Sequence, residues 1–317
     1  MTVTERCFLV ILFVFLFNIS KGQQTPFSPV SYLVFSPSIY NPAAAGSKDF
    51  SYLGLICSFQ DESRSQILNW NTRLPKKIPG YNYNHEIKDF SNVGIGASAF
   101  NDMIGSTQNM GLSANGSYQI PLSSRRLSFL SVGVALKGIY NIQDTGTMES
   151  ANTSKETFYQ DLDVGMYYFG SSFFSGISAT NLLENPKETD AYGNHTHPIV
   201  RQYYFTMGYK ILLSRRYNIV LEPSVLVSAC DTNISNIAEN IYPILKLYME
   251  YFCVGSYFLN EGNISFFLEY RYPRFFVGAF FELPKKTPYY KSYPLLEFTA
   301  GFNFTGNKRT IARHSHW

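Results

Sequence analysis

The residues whose spacing best suits metal binding are His195 and His197, which lie two positions apart near Asp190. Imidazole and carboxylate groups bind zinc, but a zinc site needs about four ligands in a defined geometry. The sequence offers no second pair of such ligands close by. We therefore interpret this stretch as a solvated loop and predict neither a bound metal nor a cofactor.

Two pairs of acidic residues have a spacing that could support general acid and base catalysis: Asp61 with Glu62, and Asp161 with Asp163. That chemistry requires two carboxylates at a set separation on either side of a substrate. Each pair falls in a predicted loop or at the start of a predicted strand. We interpret both pairs as solvated carboxylates.

The short motif Gly94-Ile95-Gly96 is not a nucleotide-binding fingerprint, because it lies inside a strand pattern and no helix follows it. Glycine within a strand more often lets the sheet bend or allows a neighbour to approach closely. The sequence also contains no G-x-S-x-G motif, no Walker loop and no zinc-protease helix motif. We predict that the protein is not an enzyme.

The composition is unusual for a soluble protein. Aromatic residues make up 17% of the 317 residues and charged residues only 15%, whereas about a quarter of the residues in soluble proteins are charged. The mean hydropathy of −0.10 excludes a helical membrane protein. This balance is typical of a β-barrel with one face on lipid and the other on water. The net charge of +3 is too small to indicate a nucleic-acid partner.

The first 22 residues have the features of an export signal. A short segment ending at Arg6 precedes the apolar run 7–17, which is too short to span a bilayer comfortably. Small residues surround a possible cleavage site before Gln23. We divide the chain into a signal peptide at 1–22, an irregular leader or plug at 23–49, a barrel at 50–304 and a tail at 305–317.

Strict alternation of side-chain character is the main structural signal after residue 49. In the stretch 130–140, apolar side chains such as Val132, Val134 and Leu136 alternate with Ser131, Gly133 and Ala135. The second face of such segments carries mostly small or neutral polar residues, which suits a barrel interior better than a water-exposed sheet face. The apolar face extends over about ten residues, the length of a tilted strand that crosses a bilayer.

We predict an all-β fold, a transmembrane antiparallel β-barrel of about fourteen strands. The predicted strands are 50–60, 80–89, 91–101, 107–121, 126–142, 160–169, 171–181, 200–213, 216–229, 241–251, 252–260, 263–271, 274–283 and 293–304. Short turns are expected on one side. Longer loops at 61–79, 143–159, 182–199, 230–240 and 284–292 are expected on the other side, as in outer-membrane proteins.

Eight charged residues fall on the predicted inward faces, where they would avoid lipid. They are Lys137, Lys210, Glu222, Lys246, Glu250, Glu269, Arg271 and Glu297. Lys or Arg on the lipid face near the midplane would cost about 2–4 kcal/mol. These groups could pair across the interior and fill it, or they could line a water-filled pore.

The segment at 40–47 carries the most specific family likeness. The residues after the signal resemble the PorP/SprF family of the type IX secretion system of Bacteroidetes. The likeness covers roughly residues 23–142, and a late Tyr270-Arg271 pair adds to it. The positions of its two main motifs are Tyr40, Asn41, Pro42, Ala43, Ala44, Ala45, Gly46 and Ser47, then Asn101, Asp102 and Gly105. Residues 35–37, 295–297 and 305–317 depart from the family pattern.

The resemblance implies a protein of the bacterial outer membrane that assists export or surface attachment of particular cargo, of gliding or adhesin type. The implied partners are outer-membrane lipid, secreted cargo and other type IX components, and no catalytic residues carry over. An outer-membrane channel or transporter for small solutes is the alternative. A secreted, soluble β-rich enzyme or binding protein is a third reading, but it would leave large apolar patches exposed.

Overall fold

The computed structural model describes most of the chain after residue 35. The described residues are 36–48, 50–60, 63–75, 90–104, 107–123, 128–144, 154–183, 188–189, 195–196, 201–230, 240–258, 264–272, 274–283 and 294–304. None of the helices among them is long and apolar enough to cross a membrane.

The described chain contains two short 3₁₀ helices followed by seventeen β-strands. The helices are η1 (Pro37–Ile39) and η2 (Pro42–Ala44). The strands are β1 (Tyr52–Gln60), β2 (Ser63–Pro75), β3 (Phe90–Ile104), β4 (Thr107–Ser123), β5 (Ser128–Asp144), β6 (Ser154–Phe169), β7 (Phe173–Thr180), β8 (Glu188–Thr189), β9 (His195–Thr196), β10 (Gln202–Tyr209), β11 (Ile211–Ser214), β12 (Ile219–Cys230), β13 (Ile241–Met249), β14 (Phe252–Phe258), β15 (Ile264–Arg271), β16 (Phe275–Leu283) and β17 (Leu295–Asn303).

Fifteen of these strands form one antiparallel sheet that closes into a barrel. Each strand pairs with its neighbours in chain order, and β1 pairs with β17 to close the wall. The consecutive strands β10 and β11 both pair with β12, and together they occupy one strand position (stave) of the barrel, with an interruption at Lys210. The barrel therefore has fourteen staves, which confirms the predicted fold class. The short strands β8 and β9 pair with each other outside the wall.

The alternation predicted from the sequence is present in the wall. Along β5, the side chains of Val132, Val134 and Leu136 are exposed on the outer face, while Ser131 and Gly133 are buried on the inner face. Exposed apolar rows of this kind on every side of a closed barrel suit contact with lipid. The described outer-face charges Arg64 and Glu156 lie near strand ends, away from the apolar midplane.

The two ends of the barrel can be distinguished by the chain termini. We call the end at which β1 begins and β17 finishes the termini end, and the opposite end the loop end. Short connections join strands at both ends: 170–172, 215–218 and 250–251 at the termini end, and 61–62 and 105–106 at the loop end. The chain termini are therefore what distinguishes the two ends. In outer-membrane barrels, short turns and chain termini lie on the periplasmic side.

The sequence-based prediction missed one strand of the wall and placed the start of another too late. Strand β2 at Ser63–Pro75 occupies most of a stretch predicted to be a loop, 61–79, and β6 begins at Ser154, inside the predicted loop 143–159. The outer face of β2 carries the polar residues Arg64 and Gln66, and its inner face carries Ile67, so the alternation that identifies strands is weak there. The predicted strand 80–89 lies outside the described residues, as do the predicted signal peptide and the tail at 305–317.

Candidate functional site

The barrel interior contains a segment of the protein's own chain, residues 36–48, which we call the interior segment. Two prolines start its short helices, Pro37 in η1 and Pro42 in η2, where the missing N–H group is not needed. The Oδ1 atom of Asn41 accepts a hydrogen bond of 3.0 Å from the backbone N–H of Ala43 and caps η2. Ala43 and Ala45 are completely buried.

The interior segment lies on a row of small residues that crosses five neighbouring strands. The strand registers place Gly94 of β3 opposite Ser117 of β4, then Gly133 of β5, Gly165 of β6 and Ser178 of β7. We call this set the small-residue row. Because none of its members has a large side chain, the backbone of the interior segment can approach the wall directly.

The approach at Gly133 is close enough to exclude any side chain. A Cβ atom there would lie 2.5 Å from the carbonyl carbon of Pro42 and 2.6 Å from the Cα of Ala43. At Gly94, a Cβ would lie against the carbonyl oxygen of Ala45. Gly94 therefore admits a neighbour, which was one of the two roles expected for glycine in this strand.

Gly46 is held in a conformation that favours glycine. Its φ angle is +67°, in the left-handed region. A Cβ at this position would also lie 2.6 Å from the Cα of Gly94. Both the backbone angle and the contact therefore require glycine.

Asn41 fixes the interior segment to two strands. Its Nδ2 group donates hydrogen bonds to the backbone carbonyls of Met166 on β6, at 3.0 Å, and of Ile177 on β7, at 3.3 Å. Its side chain lies over Gly165 and Gly176, where a Cβ would collide with it. One asparagine thus caps a helix and binds the wall with the same side chain.

The second half of the motif is held through its backbone carbonyls. The Oγ of Ser117 donates a hydrogen bond of 2.7 Å to the carbonyl of Ala45. The Nε2 group of Gln119 donates one of 2.7 Å to the carbonyl of Gly46 and one of 3.3 Å to that of Ala45. Polar residues on the inner face of β4 therefore satisfy carbonyls that would otherwise be buried without partners.

The N-terminal part of the interior segment is bound by β2 and by an aromatic contact. The Nδ2 of Asn71 donates a hydrogen bond of 2.8 Å to the Oγ of Ser38. The rings of Tyr40 and Tyr204 lie 5.1 Å apart. These contacts explain why β2 carries polar side chains on its inner face.

Lys48 lies at the C-terminal end of the interior segment. Its Nζ atom is 4.8 Å from the centroid of the Tyr52 ring. Burial and, to a smaller extent, the positive charge of Arg271 lower the pKa of Lys48 to about 7. Serine 47 lies beside it and lines a cavity of about 10 Å³ together with Lys48 and Asn71.

The second family motif lies away from these contacts. Asp102 is buried on the inner face of β3, opposite Ser65 of β2 and Asn109 of β4 in the strand registers. Asn101 accepts a hydrogen bond of 2.8 Å from the Nε2 of Gln108. Gly105 lies outside the described residues.

Five of the eight predicted interior charges take part in three ion pairs, and a sixth, Glu297, is buried on an inner face. Lys246 pairs with Glu222 at 2.8 Å and Arg271 with Glu269 at 2.7 Å. Lys137 pairs at 2.6 Å with Asp163. Glu297 is buried on β17, and Lys210 lies at the interruption between β10 and β11.

Glu250 is an exception to the predicted register. It is exposed in the two-residue turn between β13 and β14, with a φ angle of +43°. Its position in the alternation is the same as that of Lys246, but the strand ends at Met249. The expectation that Glu250 faces the interior was therefore wrong, because the alternation does not continue into the turn.

The acidic pair Asp161 and Asp163 was also misinterpreted as solvated. Both residues are buried on the inner face of β6. The Oδ1 of Asp161 accepts hydrogen bonds from the backbone N–H groups of Leu162, at 2.7 Å, and Leu183, at 3.2 Å, and the Oδ1 of Asp163 accepts one from Asn181, at 3.1 Å. The carboxylates therefore hold the backbone that follows β7.

The other candidates for chemistry lie outside the described residues. They are Asp61 and Glu62, together with Asp190 and His197; of His195, only the backbone is described. Within the described part of the chain, no group of three or more His, Cys, Asp and Glu residues is arranged to hold a metal ion.

The residues that hold the interior segment include several that the sequence did not single out: Ser117, Gln119, Gly133 and Gly165. Each is a small or polar residue at an inner-face position of an alternating strand. The available signal was glycine at Gly133 and Gly165, since glycine inside a strand indicates a close backbone approach. The sequence alone does not show which segment makes that approach.

The model of one protein family matches most of the chain. The matched residues are 21–302, and the family is described as the type IX secretion system membrane protein PorP/SprF. The chain belongs to the PorP/SprF family. As a PorP/SprF protein with a closed barrel, it is a protein of the bacterial outer membrane and a component of type IX secretion.

Comparison with solved structures finds other outer-membrane barrels at low similarity. The β-domain of the Bordetella autotransporter BrkA is 8% identical, with 81% of this chain and 99% of that chain covered and a TM-score of 0.37. The KdgM porin is 7% identical, with coverage of 80% and 99% and a TM-score of 0.38. BamA from Haemophilus ducreyi, lacking POTRA domains 1–3, is 10% identical, with coverage of 80% and 70% and a TM-score of 0.38. No curated protein matches the chain.

Proposed function

We propose that this PorP/SprF protein is an accessory component of type IX secretion that assists export or surface attachment of specific cargo, of gliding or adhesin type. The observation that carries the proposal is the interior segment. Residues 40–46 lie across the wall with their backbone against the small-residue row and hydrogen-bonded to β4, β6 and β7. A barrel whose interior holds its own chain offers cargo its ends and loops as contact surfaces.

The interior segment also argues against the alternative function, a channel for small solutes. Tyr40, Asn41 and Ala43 fill the interior against the wall, and the three interior ion pairs use charges that could otherwise line a water-filled pore. We therefore propose that residues 23–49 act as a plug and that the predicted signal peptide at 1–22 directs export. Conductance of the purified protein in a planar bilayer tests this point: we expect no steady open-channel current, whereas a steady current with the segment intact would support the channel.

The proposed role requires no catalysis. The acidic residues that could have served as a catalytic pair, Asp161 and Asp163, accept hydrogen bonds from backbone N–H groups, and Asp163 pairs with Lys137. Their contacts are those of structural carboxylates that satisfy buried donors. We propose that the protein acts by binding and positioning other proteins.

A comparative secretome of a deletion strain tests the proposed function. We expect one or a few cargo proteins to be lost from the medium or the cell surface and to accumulate in the periplasm. Re-expression of the intact gene is the control and should restore release. An unchanged secretome, in a strain that also lacks any paralogues, would refute the proposal.

A further inference from the structure

Charged side chains inside the barrel are sorted between its two ends. In the half next to the termini end, five interior cations lie with two carboxylates: Lys48, Arg73, Lys210, Lys246 and Arg271, with Glu222 and Glu269. In the half next to the loop end the balance is reversed: Asp102, Asp161, Glu282 and Glu297 are acidic, and Arg201 acts on Asp161. Lys137 and Asp163 pair with each other near the middle of the barrel. The termini end is therefore electropositive and the loop end electronegative.

Four of the cations form one electrostatic cluster. Lys48 and Lys210 both interact with Arg271 and Lys246, and each is also attracted by one carboxylate. That carboxylate is Glu269 for Lys48 and Glu222 for Lys210. The two nearby carboxylates are already used, since Glu222 pairs with Lys246 and Glu269 with Arg271. Within the described part of the chain, the ammonium groups of Lys48 and Lys210 make no ion pair. The cluster thus has four cationic side chains and two carboxylates, and an added carboxylate would favour the charged form of Lys48, whose pKa burial lowers to about 7.

Surplus cations in a partly buried position are unfavourable. A buried charge loses hydration, and neighbouring like charges repel it. The Tyr52 ring compensates Lys48 in part through a cation–π contact. The attraction of a carboxylate that entered the mouth would offset both penalties. The small cavity beside Lys48 has room for about one water molecule or one carboxylate oxygen.

Asp49 directly follows Lys48 in the sequence, but the chain's other neighbouring segments carry no net negative charge. Residues 23–35 contain no charged residue, and the stretch 76–89 has three lysines with two acidic residues. Residues 124–127 contain two arginines, and 305–317 contain three basic residues and no acidic one. On the described rim of the same end, Arg215, Arg216 and Arg274 are exposed, with one acidic residue, Glu250.

We propose that the termini end of the barrel is the docking site for an acidic polypeptide segment of a partner protein, whose carboxylates enter the mouth and pair with Lys48 and Lys210. The headgroups of surrounding lipids are a less suitable source of negative charge, because Lys48 and Lys210 lie in the interior and lipid contacts the outer face. This inference goes beyond the proposed function and depends only on the barrel and its charges.

Binding of a labelled peptide to the purified full-length protein tests the inference. The protein is placed in phosphatidylcholine nanodiscs, and fluorescence anisotropy compares a Glu-rich peptide with the same peptide carrying Gln in place of Glu. We expect the Glu-rich peptide to bind selectively and to bind about tenfold more weakly at roughly 0.5 M salt than at low salt.

The variants Lys48→Gln and Lys210→Gln should each weaken binding about three- to tenfold, the range of one partly screened ion pair. Arg64→Gln is the matched control, since it removes one exposed cation near the loop end, and it should leave binding unchanged. Each variant is first checked for a folded barrel by its heat-dependent migration on a gel; loss of a surplus cation is not expected to unfold it.

Equal binding of the Gln peptide, or equal loss of binding in Arg64→Gln, would overturn the inference. It would also be overturned if no peptide bound and phosphatidylglycerol added to the nanodisc bound to the protein instead, in a manner that depends on Lys48 and Lys210. Each of these results leaves the deletion-strain secretome unaffected, so failure here is distinguishable from failure of the proposed export role.

Discussion

Replacement of Gly133 by valine should expel the interior segment while leaving the barrel intact. The new Cβ would lie 2.5 Å from the carbonyl carbon of Pro42 and 2.6 Å from the Cα of Ala43, so the backbone of the segment must move by roughly 1 Å or more to restore van der Waals contact. Valine itself favours a strand. Gly116→Val is the matched control, because a Cβ at that exposed position meets no atom within 4 Å.

The size of the effect follows from the hydrogen bonds that hold the segment. Four of them lie within residues 41–46, beside Gly133: two from Asn41, one from Ser117 and the shorter of the two from Gln119. Each contributes about 1 kcal/mol net. Loss of two or three would shift the equilibrium between bound and released segment by about 2–3 kcal/mol, or roughly 30- to 150-fold.

Maleimide labelling of a cysteine at position 36 measures that equilibrium. Ser36 is only 2% exposed, and Ser36→Cys changes its size little. Cys57, Cys230 and Cys253 are replaced by alanine in all variants. We expect labelling of Gly133→Val to be roughly 30- to 150-fold faster than that of the parent, and labelling of Gly116→Val to match the parent. Equal rates in the two glycine variants would refute the proposed seating of the segment.

Three further predictions concern single contacts. Asn41→Ala removes two hydrogen bonds and a helix cap and should speed labelling at position 36 about tenfold or more; an unchanged rate would show that Asn41 does not anchor the segment. Glu222→Gln leaves Lys246 without its carboxylate and should lower the free energy of unfolding in urea by about 3 kcal/mol. Adding Lys246→Met should restore the stability, and a double variant that stays unstable would argue against the broken ion pair as the cause. In the folded protein the pKa of Lys48 is lowered to about 7 from 10.5. Between these two values the unfolded chain binds a proton that the folded chain lacks, so the free energy of unfolding should rise as pH increases from about 7 towards 10. Lys48→Met should remove part of that rise, and an identical pH profile in the variant would contradict the assignment.

The sequence was sufficient for the wall where one face of a strand is apolar. The stretch 130–140 alternates clearly, and it became the centre of β5. It was insufficient for β2, because Arg64 and Gln66 interrupt the apolar outer face and Ile67 lies on the polar inner face. The sequence also does not show that Asn69 and Asn71 on the inner face contact Ser38. That contact joins residues more than thirty positions apart, and a local pattern does not contain it.

The interior segment shows the same limit. The sequence singled out residues 40–47 as a family motif, and Asn41-Pro42 and Gly46 indicated a turn with a positive φ angle, which Gly46 has. The small-residue row, however, exists only after strand registers align Gly94, Gly133 and Gly165. Each glycine alone indicates a close approach, but only the pairing of strands shows that all three face one segment.

The most direct test of the central claim is cargo export in cells that carry one glycine variant as the sole copy of this protein. Cargo is quantified in the periplasm and on the surface for Gly133→Val and for Gly116→Val, at matched barrel levels. We expect cargo to accumulate in the periplasm with Gly133→Val and to reach the surface with Gly116→Val. Normal export with Gly133→Val, in cells where position 36 is labelled rapidly, would contradict the claim that the seated segment is required for function.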